Sequence, residues 1–346
     1  MSKKTITIII PAYNEEKTIA SCINSCLIQT RKADQIIVVN DGSTDNTSQI
    51  LELYEGFITV VTNEVATGNK SRAQEIGIEA TTSEIFVATD GDTILDPHFL
   101  KQIEKDFIDD PKTAAVAGYI KSTKHNYLTS ARELDYVVGQ DLYKYAQSCI
   151  NFIVIIPGCA GAFRTSLFRD GTINLEHDTL TEDLDFTYKI HAAGLPIKFN
   201  MNAIAYTQDP HTLSSYINQI KRWYSGGWQN FRKHFGIMKY KPNAALFLSL
   251  NYIEGLIFSL LFFVLPVINI YLFLYFFAFY FFIGAVIGLY AAIRRRRIDL
   301  FLYSPVSSML RIMHAWLFLE QFFMEIILKK NNMVWFHPER RMSSTQ

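Results

Sequence analysis

The sequence predicts an α/β domain built on a mostly parallel sheet and followed by C-terminal membrane helices. Three observations carry this prediction. Runs of β-branched residues alternate with segments of helical period over roughly the first 120 residues. Acidic residues, Asp41 and Asp90, recur where two of those runs end. After Ala244 charge almost disappears, and Glu254 is the only ionisable carboxylate up to Ala292.

Taken in order, Thr5–Ala12 reads as a buried strand, and Glu15–Gln29 carries Ile19, Cys22, Ile23, Cys26 and Leu27 at helical spacing. Gln35–Asn40 is a second strand, Thr44–Tyr54 a helix, Phe57–Val61 a third strand, Lys70–Ala80 a helix, and Ile85–Thr89 a fourth strand ending at Asp90. Such alternation implies strands with both faces covered and ligands collected at their carboxyl ends. A helix and a strand follow between Asp96 and Ile120, then a helix over Thr129–Gln147. Pro157–Arg164 is rich in small residues, which let a backbone approach a ligand closely. Leu213–Trp228 is a helix, and Phe231–Lys241 is a basic, aromatic stretch suited to a bilayer surface.

Phe247–Ile268 and Tyr271–Ile293 are each long enough to span a hydrocarbon core of about 30 Å, and Arg294–Arg297 sets the exit of the second span on the cytoplasmic side. Leu300–Leu328 is apolar but interrupted by Pro305, Arg311, His314, Glu320 and Glu325. It reads as an interfacial or re-entrant element, with a third span as the alternative, before a short basic tail. The expected division is a cytoplasmic domain over residues 1–235 and a membrane region over 236–346. With 33 basic and 33 acidic residues, the chain lacks the basic footprint of a nucleic-acid-binding domain. Four cysteines without C-x-x-C spacing indicate reduced thiols, and the short apolar run Ile6–Ile10 is no signal-peptide core.

Three motifs carry chemistry. In Asp90-Gly91-Asp92, two carboxylates leave a strand around a glycine, so that one can reach a ribose hydroxyl while the other ligates Mg²⁺ or Mn²⁺, which neutralises a diphosphate leaving group. Glu182, Asp183 and Asp185 precede a helix. One of them can act as general base toward an acceptor hydroxyl, while Asp185 also reads as a plain helix-N-terminal acid. In Gln219-Ile-Lys-Arg222-Trp223, the arginine offers a planar fork to phosphate, the indole a face for a sugar ring, and the glutamine lies one turn earlier. Asn14 and Ser43, in the loops after the first two strands, either grip a nucleotide or start helices. Lys70 and Arg72 read locally as phosphate contacts or as exposed helix charges.

In this order and spacing the motifs resemble the family-2 glycosyltransferases, in particular the membrane-integrated synthases of hyaluronan, chitin, cellulose and poly-N-acetylglucosamine, over about the first 235 residues. The resemblance implies a GT-A fold (Rossmann-like), a UDP-sugar donor and a single inverting displacement. It implies Asp41 as the uracil-binding aspartate, Lys70 as a nucleotide contact, Asp90 and Asp92 as the D-x-D pair with Asp92 the metal ligand, and Asp183 as the base beside Glu182. Gly161, Phe163 and Arg164 fall in the loop near the acceptor, and Gln219, Arg222 and Trp223 match Q-x-x-R-W. The implied product is a β-linked polysaccharide. A single sugar transferred to a lipid acceptor is the alternative, because the apolar tail is short for a pore and export would need oligomerisation or a partner. A non-catalytic sugar- or polymer-binding subunit is the remaining reading.

Overall fold

The computed structural model describes residues 3–237, 242–330 and 339–342; residues 238–241, which end the basic aromatic stretch, lie outside the described residues. In chain order the elements are β1 (Ile6–Ala12), α1 (Ile19–Leu27), β2 (Gln35–Asp41), α2 (Thr47–Glu52), β3 (Thr59–Asn63), α3 (Lys70–Ala80), β4 (Ile85–Ala88), β5 (Ile94–Leu95), α4 (Phe99–Asp109) and β6 (Ala115–Ser122). Then come α5 (Tyr127–Val137), continued by a π-helical turn (Val138–Lys144) into α6 (Tyr145–Cys149), β7 (Gly161–Arg164), α7 (Ser166–Arg169), α8 (Glu182–Ala192) and β8 (Ile197–Thr207). The remainder is helical: α9 (Leu213–Lys233), α10 (Pro242–Ile268), α11 (Ile270–Arg295), α12 (Ile298–Leu302) and α13 (Ser304–Phe322), with a second π-helical turn at Phe323–Ile327.

Contacts gather the described residues into two compact units, one from Met1–Lys121, Asn151–Gln208 and Glu339–Gln346, the other from Ser122–Ile150 and Asp209–Pro338. The partition therefore differs from one cut near residue 235. Helices α5 and α9 bury Leu128, Tyr216 and Ile220 with Leu317 of α13, so they share a core with the apolar helices.

The first unit is organised by an eight-stranded sheet in the order β3-β2-β1-β4-β7-β6-β8-β5. β1 pairs in parallel with β2 and β4, and β2 with β3, as the strand and helix alternation predicts. Ile6, Ile8, Ile9 and Ile10 of β1 are fully buried, the mark of a strand covered on both faces. Beyond β4 the direction changes, because β7 runs antiparallel to both β4 and β6, and β5 to β8. No crossover helix is needed between antiparallel neighbours, so the periodic signal stops there. Phe86, Phe163, Phe186 and Ile190 belong to the core that seats α8 beside the sheet, and the rings of Phe86 and Phe163 stack at 5.2 Å.

In the second unit, Leu248–Ile268 and Ile270–Arg295 have the length and apolarity of membrane spans, with mean hydropathies of 1.9 and 2.3. Only 6% of each segment is buried, whereas the core helix of a water-soluble protein would be mostly covered. Arg296, in the left-handed conformation at φ 55°, ends α11. In the third apolar segment the polar interruptions have partners on α5 and α9. Arg311 reaches Asp135 at 3.5 Å, His314 meets the Tyr216 hydroxyl at 3.0 Å, and Glu320 pairs with Lys221 at 2.9 Å. Glu325 accepts from Ser225 and from Gln229.

Candidate active site

The parallel strands deliver their loops to one edge of the sheet. Asn14 and Ser43 start no helix there; each braces the other's loop. The Asn14 N–H donates to Ser43 Oγ at 3.0 Å, and Asn14 Oδ1 accepts the Thr44 N–H at 2.8 Å, with Asn14 held at φ 55°. Asp41, at the end of β2, is 5% exposed and accepts from Asn63 Nδ2, the Thr67 N–H and Thr67 Oγ1 at 2.7, 3.0 and 2.7 Å. Its carboxylate thus fixes the segment leading to α3. Gly42 has φ +69°, and a Cβ there would lie 2.4 Å from the Ala66 nitrogen, so only glycine lets the two segments meet.

That segment brings Lys70 to the first turn of α3. Asn69 caps the helix by accepting the Ser71 N–H, and Lys70 extends Nζ to 2.5 Å from Asp90 Oδ1 and 3.2 Å from Glu182 Oε1. Removal from water works against the ammonium, but Asp90, Glu182 and Asp183 outweigh it and hold Lys70 above its usual range. One cation therefore joins the D-x-D motif to the acidic start of α8. Asp183 accepts the Gly158 N–H at Oδ2, 3.2 Å away, and the Leu184 N–H at Oδ1, 2.9 Å away. A Cβ on Gly158 would stand 3.2 Å from Lys70 Nζ, so the small residue leaves the lysine its place. The next residue is tied to the other motif, since Thr89 Oγ1 donates to the Cys159 carbonyl at 3.1 Å.

Asp92 is 6% exposed, and burial pushes its carboxyl up to about 7; Arg340 pulls the other way, while Glu15 and Asp90 add to the rise. Arg340 pairs with Asp92 and also grips Glu15, from Nη2 at 2.8 Å. Cys22 and Cys159 are buried beside these acids, and both thiols are pushed up, Cys22 first by its hydrogen bond with Cys26 and Cys159 first by burial. The four cysteines are free thiols.

Of the expected acceptor-loop residues, Gly161 and Arg164 lie at opposite ends of β7 and Phe163 lies in the core. Because β7 runs antiparallel to β4, Gly161 lies opposite Ala88 near the Asp90 end, while Arg164 lies opposite Ile85 at the other end of the strand. Phe163 is 1% exposed in the core, and Arg164 donates to the carbonyls of Thr113 and Pro111 at 2.6 and 2.7 Å. Both residues support the sheet. Asp185 pairs with Lys189 at 2.8 Å, one turn along α8, in keeping with its reading as a helix-terminal acid.

In the second unit α9 carries Gln219, Arg222 and Trp223, and its start is capped by Thr212, which accepts the Ser215 N–H. Arg132 of α5 organises this helix. Its Nη2 donates to Gln219 Oε1 at 3.2 Å, and its guanidinium lies 4.6 Å from the ring centres of both Tyr216 and Trp223. Asp209, at 3.7 Å, and Asp135, at 3.6 Å, supply countercharge. Trp223 is partly buried against this cluster.

The sequence alone does not mark Glu15, Gly158, Arg132 and Arg340 as site residues. Glu15 had a signal, a carboxylate in the loop after β1. Arg132 had another, a cation among the apolar residues of a helix; Arg340, far along the chain, had none. Among the described residues no three His, Cys, Asp or Glu side chains form a metal cage by themselves. The hard, clustered oxygens of Asp90 and Asp92 nevertheless suit a cation that takes one or two carboxylates and completes its shell with water and diphosphate.

Comparison with known proteins gives this geometry a context. Residues 7–170 match the profile of Glycosyl transferase family 2. The chain is 28% identical over 239 residues to poly-beta-1,6-N-acetyl-D-glucosamine synthase of Staphylococcus aureus (strain COL), which covers 68% of this chain and 58% of that protein. The Staphylococcus epidermidis synthase is 28% identical over 236 residues, covering 66% and 56%. The chain thus spans a little over half the length of these curated relatives. Among solved structures, mannosyltransferase PcManGT from Pyrobaculum calidifontis, in complex with GDP-Man and Mn²⁺, is similar at a TM-score of 0.66 and 19% identity, over 95% of this chain and 89% of that one. S. aureus TarS is similar at a TM-score of 0.50 and 21% identity, over 65% of this chain and 39% of that one. Residues 7–170 with their D-x-D motif thus match glycosyltransferase family 2, and the fold is shared with a solved mannosyltransferase.

Proposed function

We propose that the chain is a membrane-bound inverting glycosyltransferase that uses a UDP-sugar to extend a β-linked polysaccharide at the cytoplasmic face. The observation that carries the reading is the ion-paired group Lys70, Asp90 and Glu182, with Asp183 adjacent and fastened to Gly158. Asp183 takes the proton from the acceptor hydroxyl as that oxygen attacks the anomeric carbon, and the bond to the diphosphate breaks. Lys70 contacts the nucleotide diphosphate, Asp90 the ribose, and Asp41 braces the uracil-side loop. Asp92 would hold Mg²⁺ or Mn²⁺, which would supply positive charge to the departing diphosphate. Gln219, Arg222 and Trp223 hold diphosphate and acceptor. The similarity to poly-N-acetylglucosamine synthases makes UDP-N-acetylglucosamine the first donor to test.

A second reading is one sugar transferred to a lipid acceptor; the fold shared with a mannosyltransferase is compatible with either product. Full-length protein in lipid nanodiscs, given labelled UDP-hexoses and UDP-N-acetylhexosamines with Mg²⁺ or Mn²⁺, separates the readings by product mass. A ladder supports polymer extension and a single glycolipid supports the second reading. Absence of both product and UDP release from every donor would sink the proposed activity.

A further inference from the structure

Arg340 comes from the far end of the chain to the carboxylates of the first unit. Its Nε lies 3.1 Å from both Glu15 oxygens, its Nη2 2.8 Å from Glu15 Oε1, and its Nη1 pairs with Asp92 Oδ2. The neighbouring residue anchors the segment by its main chain. Gln208 donates Nε2 to the Arg341 carbonyl and accepts the Arg341 N–H at Oε1, each at 3.2 Å. A side-chain amide that reads backbone on both sides fixes the position of Arg340 whatever side chain follows it.

The carboxylates favour a cation. Asp92 and Glu15 are 6% and 7% exposed, and a Cβ on Gly91 would lie 3.0 Å from Glu15 Cγ, which shows how closely the two segments pack. Two buried acids held together need neutralising, by a proton or by opposing charge, and Arg340 supplies the charge here. The guanidinium takes Asp92 Oδ2 and Thr93 Oγ1 donates to Oδ1, so an inner-sphere divalent cation would compete for a carboxylate that already holds a positive charge.

We propose that Arg340 is the resident counter-cation of the Asp92 and Glu15 pair, and that a divalent cation displaces it, so that docking of the C-terminal segment and metal loading are alternative states of the donor site. The proposal rests on the assignment of Asp92 as a metal ligand. By linkage, a segment that weakens the metal is itself released by the metal to the same extent. The device keeps the buried carboxylates neutralised until a divalent cation arrives.

The test uses the full chain in detergent with Mn²⁺ as probe, its free concentration followed by electron paramagnetic resonance. Arg340→Ala should bind Mn²⁺ about tenfold more tightly than wild type, the loss of one charge-assisted competitor, with Arg340→Lys between them. In the wild type, Mn²⁺ should also speed hydrogen exchange at the Arg341 amide, which the Gln208 bond protects. Equal or weaker Mn²⁺ binding by Arg340→Ala overturns the proposal, as does unchanged exchange at Arg341. If neither wild type nor Arg340→Ala binds Mn²⁺, or if Asp92→Asn binds it undiminished, the metal assignment fails and takes the proposal with it. A variant that fails to fold leaves the wild-type exchange measurement to decide.

Discussion

Lys70 lies 2.5 Å from Asp90 and so gives the D-x-D motif a partner twenty residues upstream, on the first turn of α3. The same ammonium is 3.2 Å from Glu182, which makes it the electrostatic hinge of the first unit. Lys70→Met leaves Glu182, 4% exposed, without its countercharge. Since the lysine side chain is itself 24% exposed, a loss of about 1–3 kcal/mol in stability is expected, together with weakened UDP binding. Chemical denaturation and calorimetric titration with UDP check the two halves separately.

Asp183→Asn keeps the shape of the side chain and removes its basicity. Transfer should fall by about 10³-fold or more while UDP binding stays within about twofold. Wild-type turnover in this variant would move the role of base to another carboxylate.

Asp92→Asn should lower Mn²⁺ affinity and raise the metal concentration needed for half-maximal transfer. Chelation of the metal should stop transfer by the wild type, and readdition should restore it. An enzyme indifferent to chelator would show that protein cations alone carry the leaving charge.

Trp223 and Gln219 share Arg132 as a support, so their variants should resemble one another. Trp223→Ala and Arg132→Ala are both expected to impair acceptor use, read as a higher acceptor KM, more than donor binding. Equal loss of donor and acceptor affinity would make the cluster a purely structural support.

Arg164→Ala tests whether the residue at the far end of β7 supports the sheet or the acceptor. Loss of its two carbonyl contacts should cost about 1–3 kcal/mol in stability, and the KM values for donor and acceptor should stay unchanged. A selective rise in acceptor KM would return Arg164 to the site.

The legible part of the fold was the part governed by local periodicity. β1 to β4 and their helices appear as the alternation predicts, because a buried parallel strand announces itself in consecutive residues such as Ile8, Ile9 and Ile10. The places of Phe163 and Arg164 depend on strand direction, which local sequence does not carry. Small residues mark a close approach of the backbone, but they do not disclose that β7 runs opposite to β4, and this reversal carries Arg164 to the other end of the strand. Lys70 was ambiguous locally, since a lysine at the start of a helix is usually a solvated charge; only the long-range arrival of Asp90 and Glu182 distinguishes it. Arg340 lay beyond any pattern, because its partners Glu15 and Asp92 are more than two hundred residues away in sequence.

The loop between Pro157 and Ala160 fastens two pieces of chemistry with consecutive residues, Gly158 to Asp183 and Cys159 to Thr89, immediately before Asp90. Main-chain atoms of two successive residues thus set the span between Asp183 and the strand end that carries Asp90, so under the proposed roles the distance from donor to base belongs to the backbone and not to any side chain of this loop.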